Sequence, residues 1–315
     1  MKPLLSVVVP VHNEEACLPR FHEELKSALA RLDLRHEILY VEDGSTDGSA
    51  AAIEAIREAD PTTAAVILSR NFGHQTALTA GIEFAKGDAV VMLDADLQHP
   101  PSLIAELVAA WNGGAKVVHA VRTETEGAGA AKHWSSRLFY RLFLWLSNTS
   151  IRENAADFRL MDRQAIEALK AMKERHRFLR GMVGWLGLPE AAVEFKAPPR
   201  AAGVSKYTWR KMFRMASDAI FSFSTKPLRL ALWLGLFVLI FNALYAAYMF
   251  YTYFAYHTTV KGWPSMILIV MLLGGSQLII LGILGEYIGR IYDETKERPL
   301  FVLKELRPPR LDSPR

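Results

Sequence analysis

The chain has almost no cysteine. Cys17 stands alone among 315 residues, so no intrachain bridge and no cysteine-based metal site can form. An excess of charge of either sign is also missing, with 37 Lys and Arg against 33 Asp and Glu; composition gives nucleic-acid binding no support. With 22% charged and 51% hydrophobic residues, a disordered tail is excluded. No cleavable leader is visible either, because Met1–Pro10 runs directly into Ser6-Val7-Val8-Val9-Pro10 without a small-residue cleavage site. The N-terminus is therefore expected to stay in the cytoplasm. Neither a dinucleotide-binding nor a Walker-type glycine pattern follows the first apolar run, which disfavours a nicotinamide enzyme or a P-loop ATPase.

What the chain does have is two long apolar runs. Leu230–Tyr256 gives 27 residues without a formal charge and Gly262–Gly285 gives 24, each beyond the ~20 that span a bilayer core. Only residues 257–261 separate them, so a membrane hairpin is expected. Arg200, Lys206, Arg210, Lys211, Arg214, Lys226 and Arg229 precede it, and Arg290, Lys296, Arg298, Lys304, Arg307, Arg310 and Arg315 follow it. The positive-inside rule then puts both termini in the cytoplasm, in a multi-pass protein of the cytoplasmic membrane. Asn242 and Gln277 are placed to bond across the hairpin, and Gly275, Gly282, Gly285 and Gly289 offer a small-residue face for close helix packing, compatible with a homo-oligomer. With no charge at the centre of either run, the hairpin reads as an anchor rather than a transporter. Ahead of it, Trp209, Met212, Phe213, Ala216, Ile220 and Phe223 recur at helical spacing, with Lys206, Arg210 and Arg214 on another face. That pattern predicts a basic amphipathic helix on an anionic leaflet, broken by Pro227.

The first part of the chain alternates apolar runs with helical patterns. The runs Leu4–Val11, Glu37–Val41, Ala65–Leu68, Ala89–Leu93 and Lys116–Val121 are nearly continuous in Val, Ile and Leu, as strands buried on both faces are. The fold class is α/β with a mostly parallel sheet, in which ligands sit beyond the carboxyl ends of the strands. There the sequence places His12-Asn13-Glu14-Glu15, Glu42-Asp43-Gly44-Ser45-Thr46-Asp47 and Asp94-Ala95-Asp96-Leu97-Gln98-His99. Asp94 and Asp96, two apart in an extended segment, point to one side and are hard oxygen donors suited to Mg²⁺ or Mn²⁺ on a diphosphate. Asp43 is suited to accept an N–H from a base edge. Ser45, Thr46 or Asp47 would cap the next helix. His12, His74 and His99 read as hydrogen-bonded structural residues.

Taken as an ordered set, Ser6–Glu15, Glu42–Asp47, Ser69-Arg70-Asn71-Phe72-Gly73 and Asp94–Pro101 resemble the motifs of family-2 glycosyltransferases with the GT-A fold. Asp157–Arg163 and Gly285–Tyr292 resemble, more narrowly, the polyprenyl-phosphate glucosyltransferases, relatives of dolichyl-phosphate mannose synthase. The resemblance runs to about Leu303. It implies a cytoplasmic GT-A domain over 1–204, an amphipathic juxtamembrane helix over 205–226, membrane helices over 227–256 and 262–291, and a C-terminal tail over 292–315. The implied reaction is inverting transfer of a hexose, with UDP-glucose as the nearest donor, to a polyprenyl phosphate at the cytoplasmic membrane face.

By the same resemblance Pro10, Val11, Glu14, Asp43 and Asp94 would line the nucleotide pocket, and Asp96 with Gln98, beside Asp94, would hold the divalent metal. Arg122, Arg137 and Arg141 would face the acceptor phosphate. Arg200, Ser205 and Lys206 resemble a basic loop that closes over the diphosphate. Asp157 would face the acceptor in a positioning or proton-accepting role; the other reading of Asp157 is a helix N-cap ahead of Leu160–Met172. Glu42 stands where many relatives carry a second Asp, and Val204 where a polar residue is common, which leaves the sugar open. Two other functions stay in view: a processive polysaccharide synthase, disfavoured by the lack of a Gln-x-x-Arg-Trp element, and a catalytically silent membrane-anchored module that binds nucleotide sugar or lipid.

Overall fold

The structure, a computed structural model, describes residues 2–122, 155–196, 220–221, 224–256 and 262–309. The five apolar runs are strands: β1 (Leu4–Val11), β2 (Arg35–Glu42), β3 (Thr63–Leu68), β4 (Ala89–Met92) and β5 (Val117–Arg122). Consecutive Val7, Val8 and Val9 are all 0% exposed, which requires both faces of the sheet to be covered. Helices α1 (Leu18–Leu29), α2 (Ser49–Ala59), α3 (His74–Phe84) and α4 (Ile104–Asn112) cover them. Packing is closest at Gly81 of α3, where a Cβ would lie 2.1 Å from Val8 Cγ1 and 3.1 Å from Val41 Cγ2.

Three more strands complete the sheet: β6 (Ala155–Asp162), β7 (Glu190–Phe195) and β8 (Leu303–Arg307), with α5 (Arg163–Ala171) and α6 (Leu179–Trp185) between β6 and β7. The order is β7-β5-β6-β4-β1-β2-β3-β8. β1 to β4 run parallel, while β6 is antiparallel to both β4 and β5. That reversal matters for the site, since the first residues of β6 lie at the same edge as the last residues of β1 to β5. The pairing of β1 with β4 ends at Val8 opposite Met92, short of Pro10, whose missing N–H therefore interrupts no bond to β4.

Two expectations are corrected here. The residues after the hairpin do not form only a tail: 303–307 is a strand, antiparallel to β3. The segment around Leu160 is strand rather than helix, so Asp157 caps nothing. Asp162 is the N-cap of α5, accepting from the Gln164 N–H at 2.9 Å.

The described residues divide into two compact units, the sheet with its helices and residues 298–309, and a second built on α7 (Lys226–Tyr256) and α8 (Trp263–Thr295). Both α7 and α8 are long and apolar enough to cross a membrane. Within this unit they pack on each other, and large side chains such as Trp233, Phe237, Leu244 and Leu268 point outward, the all-round apolarity of helices that face lipid. The Asn242–Gln277 bond does not form. Asn242 Nδ2 donates to Val238 O of its own helix at 2.8 Å, the nearest acceptor one turn back, and Gln277 is exposed. A Cβ on Gly275, Gly282, Gly285 or Gly289 would meet nothing within 4 Å, so this face is not used for packing among the described residues. Arg137, Arg141, Arg200, Ser205, Lys206, the turn 257–261 and most of the expected amphipathic helix 205–226 lie outside the described residues.

Candidate active site

The site grows from the carboxyl edge of the sheet. At the tip of β1, Asn13 takes φ 58°, a left-handed conformation that Asn tolerates, and its Oδ1 accepts from Thr46 N at 2.8 Å. The Asn13 and Glu14 amides donate to the hydroxyls of Ser45 and Ser49 at 3.1 and 2.9 Å. The tips of β1 and β2 are thus laced together, with Pro10 and Val11 buried beneath them. The N-cap of α2 is Gly48, without a side-chain bond of its own; Asp47 nonetheless accepts from Ser49 N at 3.0 Å.

Asp43 is 2% exposed, and its two oxygens accept from the Phe72 and Gly73 amides at 2.7 and 2.9 Å. Burial pushes its carboxyl up from the usual range against the pull of those two bonds. Asp43 therefore shapes the loop after β3, besides any part it takes in binding. The same loop folds tightly over the β2 tip, since a Cβ on Gly44, at φ +62°, would lie 2.3 Å from the Asn71 nitrogen. His12 bridges the two, with Nδ1 2.9 Å from Asp43 O and Nε2 3.0 Å from Asn71 Nδ2.

Beyond β4 the chain carries Asp94, Asp96 and Gln98. Leu97 between the last two has φ 60°, a turn that lets Asp96 Oδ1 accept from Gln98 N at 3.0 Å. Gln98 is 9% exposed, and its Oε1 lies 3.4 Å from Arg122 Nη2 at the end of β5. Asp94, Asp96 and Gln98 supply oxygen donors only, the kind that Mg²⁺ and Mn²⁺ take. Among the described residues no three His, Cys, Asp or Glu side chains gather into a metal cluster. The fit is to a cation that draws much of its shell from substrate or water.

Met92 pairs with Arg159, and continuing that register two residues brings Asp94 alongside Asp157. The His74 imidazole stands between them, Nε2 3.6 Å from Asp94 Oδ1 and 3.6 Å from Asp157 Oδ2, ion-pair distances rather than strong hydrogen bonds. Burial works most strongly against its charge, but its partnership with Asp157 and the two carboxylate charges outweigh that and hold the pKa up to about 9. The ring is 41% exposed, so solvent screens part of this pull. Asp157 is also forked by Arg180 and touched by Arg159 Nη2 at 3.3 Å. Although burial alone would raise it, Arg180, His74 and Arg159 hold its carboxyl well below the usual range.

His99 plays a different part. Its Nδ1 accepts from the Asp94 N–H at 3.2 Å, which leaves no proton there for a salt link to the Asp94 carboxylate at 3.5 Å. Burial pushes the imidazole down despite nearby Asp94, Asp96 and Asp157, in keeping with a neutral ring tilted at 36° against Phe158, centroids 5.4 Å apart. Of the residues expected from sequence, the sheet edge brings together Asp43, Asp94, Asp96, Gln98, Arg122 and Asp157. His74, read from the sequence only as a structural histidine, and Arg159, which lies inside the Asp157–Arg163 motif, join them, as does Arg180, which no sequence signal marks.

A mostly parallel sheet with acid-bearing tips and two reversed strands, β6 and β8, is a GT-A-like architecture, and the comparisons agree. Residues 6–170 match the model of glycosyl transferase family 2, and residues 226–291 match that of the GtrB C-terminal hairpin. The chain belongs to glycosyl transferase family 2, with the GT-A-like fold expected of it. It is 43% identical over 303 residues to the uncharacterized glycosyltransferase YkcC of Bacillus subtilis, covering 95% of this chain and 93% of that one. It is 40% identical over 300 residues to the bactoprenol glucosyl transferase of Shigella phage SfV, covering 95% and 98%. The prophage bactoprenol glucosyl transferase homolog of Escherichia coli is 38% identical over 303 residues, covering 96% and 99%.

Proposed function

We propose that this enzyme transfers glucose from UDP-glucose to a polyprenyl phosphate, undecaprenyl phosphate in the first instance, at the cytoplasmic face of the membrane. The observation that carries the reading is the gathering of Asp94, Asp96, Gln98, Arg122 and Asp157 at one sheet edge, in a chain whose relatives of nearly equal length include bactoprenol glucosyl transferases. The apolar pair α7–α8 supports membrane residence, which the substrate demands, because a polyprenyl phosphate leaves a bilayer only at high cost.

In this reading an acceptor phosphate oxygen attacks the anomeric carbon, the bond to the diphosphate breaks, and its electron pair leaves with UDP. Single displacement inverts the centre, so an α-linked donor gives a β-linked lipid product. Asp94, Asp96 and Gln98 would hold a divalent cation, which supplies charge stabilisation on the leaving diphosphate when bound. Pro10, Val11, Glu14 and Asp43 line the nucleotide side, and Arg122 offers a fixed positive charge to phosphate. Arg137, Arg141, Arg200, Ser205 and Lys206 are assigned to phosphate binding on resemblance alone. The acceptor is a phosphate monoester with a second pKa of ~6, mostly ionised on arrival, so it needs little help from a base. Asp157, gripped by two arginines and a histidine, is assigned to positioning rather than proton transfer.

The test is incubation of membranes with radiolabelled UDP-glucose and undecaprenyl phosphate, with wild type and Asp96→Ala. Lipid-linked glucose from wild type only, at a rate at least ~10²-fold above the variant, supports the reading. A polymer product would instead indicate a synthase, and no product with any nucleotide sugar would indicate a binding module.

A further inference from the structure

We propose that residues 298–307 form a strap that holds the site loop 69–74 in shape, with Arg175 and Phe301 as its positioning residues. The strand at its end, β8, and the residue before it are poorly placed to serve the core: Leu303 and Leu306 are 36% and 40% exposed, and Val302 is 50% exposed. Backbone bonds to β3 are its main hold. Covering an edge strand is a general use for such a segment, but the details here point to the site.

Leu303 pairs with Leu68, the last residue of β3, where the register slips between Ile67 and Leu68. The contact then continues past the sheet, because Ser69 N donates to Val302 O at 2.9 Å. The first residue of the site loop is therefore bonded to the strap. Phe301 sets its ring edge-on to Phe84 at 6.4 Å. Phe84 ends the helix that His74 begins, so the strap meets both the loop and the far end of the helix it feeds. Arg175 Nη1 donates to Arg298 O at 2.7 Å, and Arg307 bonds Glu54 of α2. Ser69 to His74 carries the amides that Asp43 accepts, the Asn71 amide beside His12, and the imidazole between Asp94 and Asp157. The strap is also continuous in sequence with α8 through residues 296–302.

The test uses the full chain in nanodiscs and the double variant Arg175→Ala with Phe301→Ala, neither residue being part of the binding machinery. Hydrogen exchange is read at three places: residues 303–307 together with Ser69, the Phe72 and Gly73 amides, and the amides of β1. We expect faster exchange at the first two, by about tenfold at Phe72 and Gly73, equal to roughly 1.4 kcal/mol of opening, and none at β1. Should the double variant leave β8 protected, Leu303→Pro releases it. Release of β8 with unchanged exchange at Phe72 and Gly73 overturns the proposal and leaves simple edge protection. A second readout rests on the glucosyl-transfer reading: KM for UDP-glucose is expected to rise about tenfold with little change in kcat, a split that general loss of stability would not produce. If wild type itself fails to use UDP-glucose, that reading falls, while the exchange result still decides the strap.

Discussion

Arg180 grips Asp157 with two prongs of its guanidinium, Nε 2.8 Å from Oδ1 and Nη2 3.1 Å from Oδ2. A fork of this kind fixes the carboxylate in orientation as well as charge, and Lys cannot reproduce it. Arg180→Lys is therefore expected to lose most of the turnover that Arg180→Gln loses, at least tenfold in each. Asp157→Asn removes the charge facing Arg180, Arg159 and His74, and breaking such a pair typically costs ~3 kcal/mol of stability. Thermal melts in detergent beside transfer assays check both. If Asp157→Asn keeps its melting temperature and loses only an acid limb of the rate profile, Asp157 is a base after all.

His74 gives a pH dependence whose sign is set by its raised pKa. A group lifted from 6.5 to about 9 in the folded chain contributes stability that is complete below 6.5 and disappears as pH rises through 9. Wild type should therefore lose stability across that alkaline window, and His74→Gln should lose less over the same range because nothing is left to titrate there. Melting temperatures measured along a pH series provide the comparison. A variant curve parallel to wild type would remove His74 from the account.

How much of this was readable beforehand depended on the range of the contacts involved. The strand tips were legible because each is local: an apolar run, then Asp43 or Asp94 directly after it. Asp157 was harder, since Arg159, 1% exposed in mid-strand, interrupts the apolar run that announces a buried strand, and Asp followed by an amphipathic stretch reads as a helix cap. Arg180 was not legible at all, because it acquires its meaning from Asp157, brought close only by the reversal of β6; His74 reads as a structural histidine until Asp94 and Asp157 are placed on either side of it. The sequence Leu303-Lys304-Glu305-Leu306-Arg307 reads as a charged tail. An edge strand held mainly by its backbone leaves little trace in side-chain pattern.

Gly81 tests the fold that carries the site. Val8 and Val41 are both 0% exposed, and their methyl groups, on short branched side chains, have no room to move from a Cβ arriving 2.1 Å from Val8 Cγ1. Gly81→Ala gains helix propensity worth up to about 1 kcal/mol but must push α3 off the sheet, and overpacking of this kind costs about 1–3 kcal/mol. Net destabilisation is expected, with His74 at the start of the same helix displaced and donor affinity lowered. Equal or higher melting temperature would mean that α3 can shift without loss.

Removing the membrane hairpin separates anchoring from positioning only if the cut respects β8. A chain stopped at residue 225 loses α7 and α8, but it also loses the strand on β3 and the bond from Ser69 N to Val302 O. Poor activity of that chain would therefore say nothing specific about the membrane. Replacing residues 226–297 with a flexible Gly/Ser linker long enough to span the gap keeps residues 298–307 and removes only the anchor. On the proposed glucosyl-transfer reading, the linker version is expected to bind UDP-glucose as wild type does and to transfer to a short-chain polyprenyl phosphate in solution, yet to transfer poorly to long-chain acceptors in liposomes. The truncated chain is expected to bind the donor about tenfold more weakly, roughly 1.4 kcal/mol, because its site loop is no longer held. Calorimetric titration of both with UDP-glucose and Mn²⁺ decides the matter: equal donor affinity assigns the whole effect of truncation to the membrane and none to the strand.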